Sequence, residues 1–308
     1  MTRAACASLA ALLLAGCAAA PEWQHDLLRA RQDAHGERRD LVVYFALPGR
    51  DASDAMQQRL DDPLVLAALQ DGGFLAVVVD GIAHEKLYRE RLFDEWIGGA
   101  EGMGIAVLDA DGECYAARPG PQDAEELAAF LRTCASHREQ LAALRRAAAQ
   151  ADSDPTDVHR LGCLYLRLGC RRKCETLLIT AAQSGVADAS HRLARLYALD
   201  GYVTRARQWL KAAPRTPQAL VTEGYVLFKE RRHREAIEVF ERALATGELG
   251  DDRQLAVLYL GKSLHENGRE DLARPMFQRL AAEGTGSTFE AAAVHSLRHI
   301  DESQDHEH

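Results

Sequence analysis

The sequence predicts an α/β domain followed by an all-α helical solenoid, and three observations carry that expectation. Apolar runs of strand type alternate with helical segments up to about residue 135. Strand signals vanish from about residue 138 onward. Four later segments then repeat one internal distance, a small residue followed by another small residue twelve positions on. A chain of 308 residues has room for two such domains.

Composition narrows the function classes. Hydrophobic residues make up 47% and charged residues 27%, the balance of a folded soluble protein. A net charge of −9 argues against nucleic acid as the main partner. Aromatics are only 6% while alanine abounds, which favours helices packed through small residues.

The opening stretch, MTRAACASLAALLLAGCAAAPEW, has a basic residue at Arg3, an apolar run over 4–15 and small residues beyond. The run is too short to span a membrane and has signal-peptide form. Its end, Leu14-Ala15-Gly16-Cys17, resembles the bacterial lipobox, which implies lipidation at Cys17. With Ala18 rather than aspartate next, the resemblance implies an outer-membrane lipoprotein on the periplasmic face. A plain secretory signal cut elsewhere is the alternative. The expected divisions are a signal over 1–16, a lipidated linker over 17–22, the α/β domain over 23–135, a connecting helix over 136–153, the repeats with a final helix over 154–302, and a tail over 303–308.

Within the first domain, residues 23–36 read as a helix and LVVYFA, continuing to 47, as a buried strand. Segments 52–60 and 63–70 are helical, FLAVVVDG (74–81) is a second buried strand, and 84–97 is an amphipathic helix. Residues 104–117 form a hairpin around Asp111-Gly112, and 123–134 a closing helix. LVVYFA, SDAMQQRLDDPLVLAAL, LAVVVD and AVLDADGE together resemble the thioredoxin-like fold over roughly 22–135. That resemblance places Arg50 and Ser53 where the two redox cysteines would stand, and Met103 where the fold carries a cis-proline. Without a thiolate there is no nucleophile for a disulfide. A cis bond before Met103 would cost about 2.5–4 kcal/mol, so a trans bond is expected. Asp51 is read as the N-cap of the next helix, with Asp54 in its first turn; binding of an anion by Arg50 and Ser53 is the sharper alternative. The glycine run in IGGAEGMGIAV (97–107) lacks the Lys-Ser/Thr pair of a phosphate loop and precedes a strand.

Five cysteines remain after Cys6 leaves with the signal and Cys17 takes lipid. Cys114 and Cys134 are expected to form a structural disulfide, with free buried thiols as the alternative. Cys163, Cys170 and Cys174 cluster, and a bridge between the two helices, Cys163 to Cys174, is expected. Their spacing lacks paired Cys-x-x-Cys zinc ligands, so no metal is expected. His295, His299 and the terminal DHEH read as a solvated tail.

The repeat pairs are Gly162/Cys174, Ala194/Ala206, Gly224/Ala236 and Gly261/Ala273, each followed four residues on by Leu178, Leu210, Phe240 or Phe277. Small residues let paired helices approach closely, and the bulky residue is expected to fill the seam to the next pair. The segments begin 30–37 residues apart. LGCLY and REAIEVFERAL resemble the tetratricopeptide repeat, with a Sel1-like variant open for the first two copies. Helical phase turns His159, His191, Arg195, Tyr225, Phe228, Lys262 and His265 toward the concave face, a basic and aromatic groove suited to an acidic peptide. KERRHRE (229–235) reads as a solvated turn.

These readings favour a non-enzymatic, protein-binding scaffold or assembly factor with no cofactor, no nucleic acid and no small-molecule substrate. The architecture is similar to that of the bacterial co-chaperedoxins, which implies a periplasmic holdase as the alternative. A thiol–disulfide oxidoreductase using the cluster at Cys163, Cys170 and Cys174 is the third reading.

Overall fold

The computed structural model describes residues 22–81, 83, 95–97, 102–250 and 252–305. The signal, Cys17, most of the amphipathic helix at 84–97, part of the glycine run and the last residues of the tail lie outside the described residues.

The buried apolar runs become a five-stranded mixed sheet in the order β1-β3-β2-β4-β5. The strands are β1 (Trp23–Gln24), β2 (Leu41–Ala46), β3 (Leu75–Asp80), β4 (Gly104–Leu108) and β5 (Cys114–Pro119). β2 runs parallel to β3 and antiparallel to β4, and all six of its residues are buried, as a strand covered on both faces requires. Helix α1 (Leu27–Glu37) covers one face through Leu27, Ala30 and Ala34. The other face packs on α2 (Asp51–Arg59), α3 (Pro63–Asp71) and α4 (Ala124–Ser136).

Three local details depart from the sequence reading. Trp23 and Gln24 are not helical; they pair in parallel with Ala76 and Val77, and α1 starts only after Asp26 accepts from the Arg29 amide. Arg50, not Asp51, is the N-cap of α2, and it makes no side-chain cap bond. Its carbonyl accepts from the Ser53 and Asp54 amides at 2.8 and 3.0 Å, which leaves Asp51 as the first helical residue. The expected hairpin forms, with Asp109 accepting from the Asp111 and Glu113 amides at 3.0 and 2.9 Å. Gly104 sits at φ 155°, where a Cβ would stand 2.5 Å from the Arg118 carbonyl.

The chain then turns entirely helical. α5 (Arg138–Ala148) connects to four helix pairs: α6 (Pro155–Leu168) with α7 (Arg171–Gln183), α8 (Ala189–Leu199) with α9 (Val203–Ala212), α10 (Pro217–Lys229) with α11 (His233–Ala245), and α12 (Asp252–Glu266) with α13 (Glu270–Ala281). A last helix, α14 (Thr288–Asp305), follows. Asp154 caps α6 and Thr216 caps α10, each with proline at the first helical position.

The small residues do bring paired helices together, but the bulky residue acts within its own pair. A Cβ on Gly162 would stand 2.9 Å from Leu178, on Gly224 2.8 Å from Phe240, and on Gly261 2.7 Å from Phe277. Leu178, Phe240 and Phe277 each lie over the glycine of their partner helix.

The helical array also closes on the first domain. Its first helix, α6, packs against β5, and its last, α14, packs against α4. Asp123, which caps α4 in a reciprocal capping box with Glu126, meets His295 Nδ1 at 3.1 Å. Arg298 reaches Asp123 at 3.8 Å and Glu125 at 3.1 Å. One hydrophobic cluster runs without a break from the sheet through the repeats to Ile300.

Candidate functional site

The loop after β2 is built as a structural joint. Ser53 is only 1% exposed. Its Oγ accepts from the Leu47 amide at 2.9 Å and lies 3.0 Å from the Tyr44 hydroxyl, which also donates to the Ser53 carbonyl at 3.2 Å. The serine hydroxyl thus ties the strand end to the helix start and carries no base. Burial, partly offset by the Ser53 contact, raises the Tyr44 pKa. Arg50 and Asp51 are exposed, and Met103 is buried with its carbonyl accepting from the Gly120 amide at 2.9 Å.

All five described cysteines are free, which corrects both expected bridges. Cys114 belongs to the core on the α1 side of the sheet, whereas Cys134 lies in the core on the opposite face. The true neighbour of Cys114 is Cys170, whose Sγ reaches the Cys114 carbonyl at 3.8 Å and whose thiol hydrogen-bonds the Cys114 thiol. Cys163 turns to the inner face, 3.3 Å from His159 Nε2, while Cys174 occupies the small-residue seam at full burial. Burial pushes the Cys163 thiol up to about 11 and Cys134 up to about 12. Burial also holds His159 below its ordinary value, so the Cys163–His159 contact is not an activated thiolate–imidazolium pair.

The inner face of the helical array is where charge gathers. Arg195 donates to Asp252 Oδ1 at 2.8 Å and to Thr222 at 3.1 Å, and Arg192 donates to the same carboxylate oxygen at 2.9 Å. Burial pushes the Asp252 carboxyl up, but the two guanidiniums outweigh it and hold the group well below the usual carboxylate range. His191 is fully buried, its ring nitrogens 2.5 Å from Asp188 and 3.2 Å from Thr222. Tyr225 is buried edge-on to Tyr259, centroids 4.7 Å apart. Of the residues the sequence assigns to an open groove, His191, Arg195 and Tyr225 are therefore sealed into the helix stack. Asp188 and Thr222 hold His191, and Asp252 and Thr222 hold two of the Arg195 nitrogens. His159, Phe228, Lys262 and His265 keep partial exposure.

Closure by the first domain turns the rest of this face into a chamber of about 460 Å³. Its walls come from the first helix of each pair, from the turn into α7 at Gly169 and Arg171, from α14 and from the β5–α4 segment. Six cationic side chains line it (Arg118, Arg167, Arg171, Arg192, Arg195 and Lys262), against two carboxylates, Glu126 and Asp252. Arg118 enters from β5 past Gly169, where φ is 79° and a Cβ would stand 2.5 Å from the guanidinium. Sequence reasoning found Arg195, Tyr225 and Lys262 in this wall but missed Arg118, Glu126 and Asp252. A charged residue ending an otherwise apolar strand, CYAAR, was the available signal for Arg118.

Among the described residues no group of His, Cys, Asp and Glu is placed to hold a metal ion, and no helix is long and apolar enough to cross a membrane. No family model matches the chain, and no curated protein matches it.

Proposed function

We propose that this chain is a non-catalytic binding scaffold, carried to the periplasmic face of an outer membrane by lipid on Cys17, that holds a protein partner on the inner rim of its repeats. We read the first domain as thioredoxin-like and the helix pairs as tetratricopeptide-type. The mixed sheet with β4 antiparallel to β2, and the glycine-to-bulky contact within each pair, support those assignments.

The observation that carries the reading is the rim of the inner face, where His159, Phe228 and His265 on the first helices of their pairs keep partial exposure on an acidic protein. The Ser53 joint and the burial of Cys114, Cys134, Cys170 and Cys174 speak against turnover. Among the described residues, the large exposed apolar side chains Leu28, Leu64, Tyr202 and Leu272 stand on or beside four separate helices, whereas a holdase presents a contiguous apolar patch.

Photo-crosslinking in native envelopes tests the reading. A photoreactive residue at Phe228 or His265 is expected to give discrete adducts, and the same residue at exposed Arg172 on the outer helix α7 to give none. A broad smear of adducts would favour the holdase, and equal yields from all three positions would remove the scaffold reading.

A further inference from the structure

The chamber is partly open to solvent, and its volume of about 460 Å³ falls in the range of small-molecule sites, about 300–1,000 Å³. Within it three of the six cations are answered by a carboxylate: Arg192 and Arg195 by Asp252, and Arg171 by Asp200. Arg167 meets His137 Nε2 at 3.2 Å. Two remain. Among the described residues neither Arg118 nor Lys262 has a carboxylate within ion-pair distance. Arg118 donates to the carbonyls of Ala117 at 3.2 Å and Arg167 at 3.4 Å and lies 4.7 Å over the Phe130 ring. Lys262 lies 5.6 Å over the Tyr259 ring. Glu126 shares the wall, and its charge acts on both cations from beyond contact distance, against the larger effect of burial. In addition, Arg195 Nε is buried without a hydrogen-bond partner.

Arg118 and Lys262 are each partly withdrawn from water with no carboxylate in contact, and a bound anion offsets the cost of that desolvation. Burial lowers the pKa of both Arg118 and Lys262, the direction an unanswered cation takes. The remaining wall is apolar, with Leu255, Leu258, Tyr259 and Phe289 prominent.

We propose that the chamber is a binding site for a small organic anion, its carboxylate or phosphate held by Arg118 and Lys262 and its apolar body lying against Tyr259, Phe289 and Leu255. Arg118 belongs to the first domain and Lys262 to the fourth helix pair, so the anion bridges the two parts of the molecule. The site stands independently of the protein partner on the rim, and its loss would leave the rim crosslinks unchanged.

Calorimetric titration of the full chain in detergent provides the test. The probes are 3-phenylpropanoate and phenyl phosphate, with 3-phenylpropan-1-ol as the neutral counterpart. At least one anion is expected to bind saturably at a single site, with the alcohol at least tenfold weaker; which anion wins assigns the head group. Lys262→Gln and Arg118→Gln are each expected to weaken binding at least tenfold, and Lys262→Arg to retain it. Absence of saturable binding by both anions, equal binding of the alcohol, or unchanged affinity in the two glutamine variants would overturn the assignment. The alcohol comparison needs no variant, so it decides the matter even where a substitution impairs folding.

Discussion

Asp40 and Arg138 stand 98 positions apart and meet at 2.6 Å, the guanidinium Nε donating to a carboxylate that is 7% exposed. Tyr115 donates its hydroxyl to the same oxygen at 2.6 Å, and Arg138 also donates to the Gly72 carbonyl at 2.8 Å. The connecting helix α5 is thus fastened to the sheet through one buried acid. Asp40→Ala is expected to lower stability by about 1–3 kcal/mol, because it strands a buried hydroxyl. Arg138→Ala should cost less, since its side chain is 39% exposed and water replaces the partner. Urea denaturation of the two variants checks the order.

Ser53→Ala is expected to cost about 1–3 kcal/mol, since the Leu47 amide loses its partner in a buried joint and the Tyr44 hydroxyl keeps only the Ser53 carbonyl. Ser53→Thr adds a methyl at a site that is 1% exposed and should also destabilise. Denaturant midpoints measure both; an alanine variant as stable as the parent would show that the joint carries no weight.

Gly224→Ala drives a methyl to within 2.8 Å of the Phe240 ring, and overpacking of this kind costs about 1–3 kcal/mol. Phe240→Leu in the same chain should recover part of that loss. A double-mutant cycle on thermal stability reads the coupling, which independent sites would not show.

Much of this architecture was legible in the residues. LVVYFA and LAVVVD announce buried strands because their apolar runs are continuous, and the twelve-residue spacing announces paired helices because only small side chains fit a close crossing. The partner of each bulky residue was not legible, since spacing alone does not say which helix it faces. Nor was the chamber. It exists because Asp123 meets His295 across 172 positions, a contact with no local signature. Helical phase turned His191 toward an open groove but carried no word of Asp188 and Thr222, which seal it at full burial. For the thiols, a return of strand to helix suggested that Cys114 and Cys134 converge, while the alternation of faces along β5 separates them.

Acidification should weaken the fold in two stages. Burial holds His159 and His191 below their ordinary value of 6.5, so the unfolded chain takes protons first and stability falls as pH drops below about 6.5. Asp188 is lowered from 3.8 to about 2; burial opposes the shift, and the His191 contact with its neighbouring cations drives it. Its contribution is present above pH 3.8 and is lost as pH falls toward 2. Denaturation midpoints from pH 8 downward should show both stages, and His191→Gln should flatten the first.

Oxidation should join Cys114 to Cys170. A small-molecule disulfide such as oxidised glutathione would accept two electrons as the two thiols lose their protons and bond. Peptide mapping after such treatment is expected to recover the 114–170 cross-link and no 114–134 product. Cys170 is the thiol that starts the exchange, since the hydrogen bond from Cys114 and the nearby Lys173 lower its pKa, opposed by burial.

Helix α14 against α4 has a mechanical meaning. A stack of helix pairs with a loose end peels from that end, one unit after another. Here the final unit is riveted through Asp123, His295 and Arg298 to the same body that carries the first, so the protein is a hoop and has no stave that can be lifted alone. Heating should therefore produce one sharp collapse, and cutting the chain just before Thr288 should turn that collapse into a gradual fray.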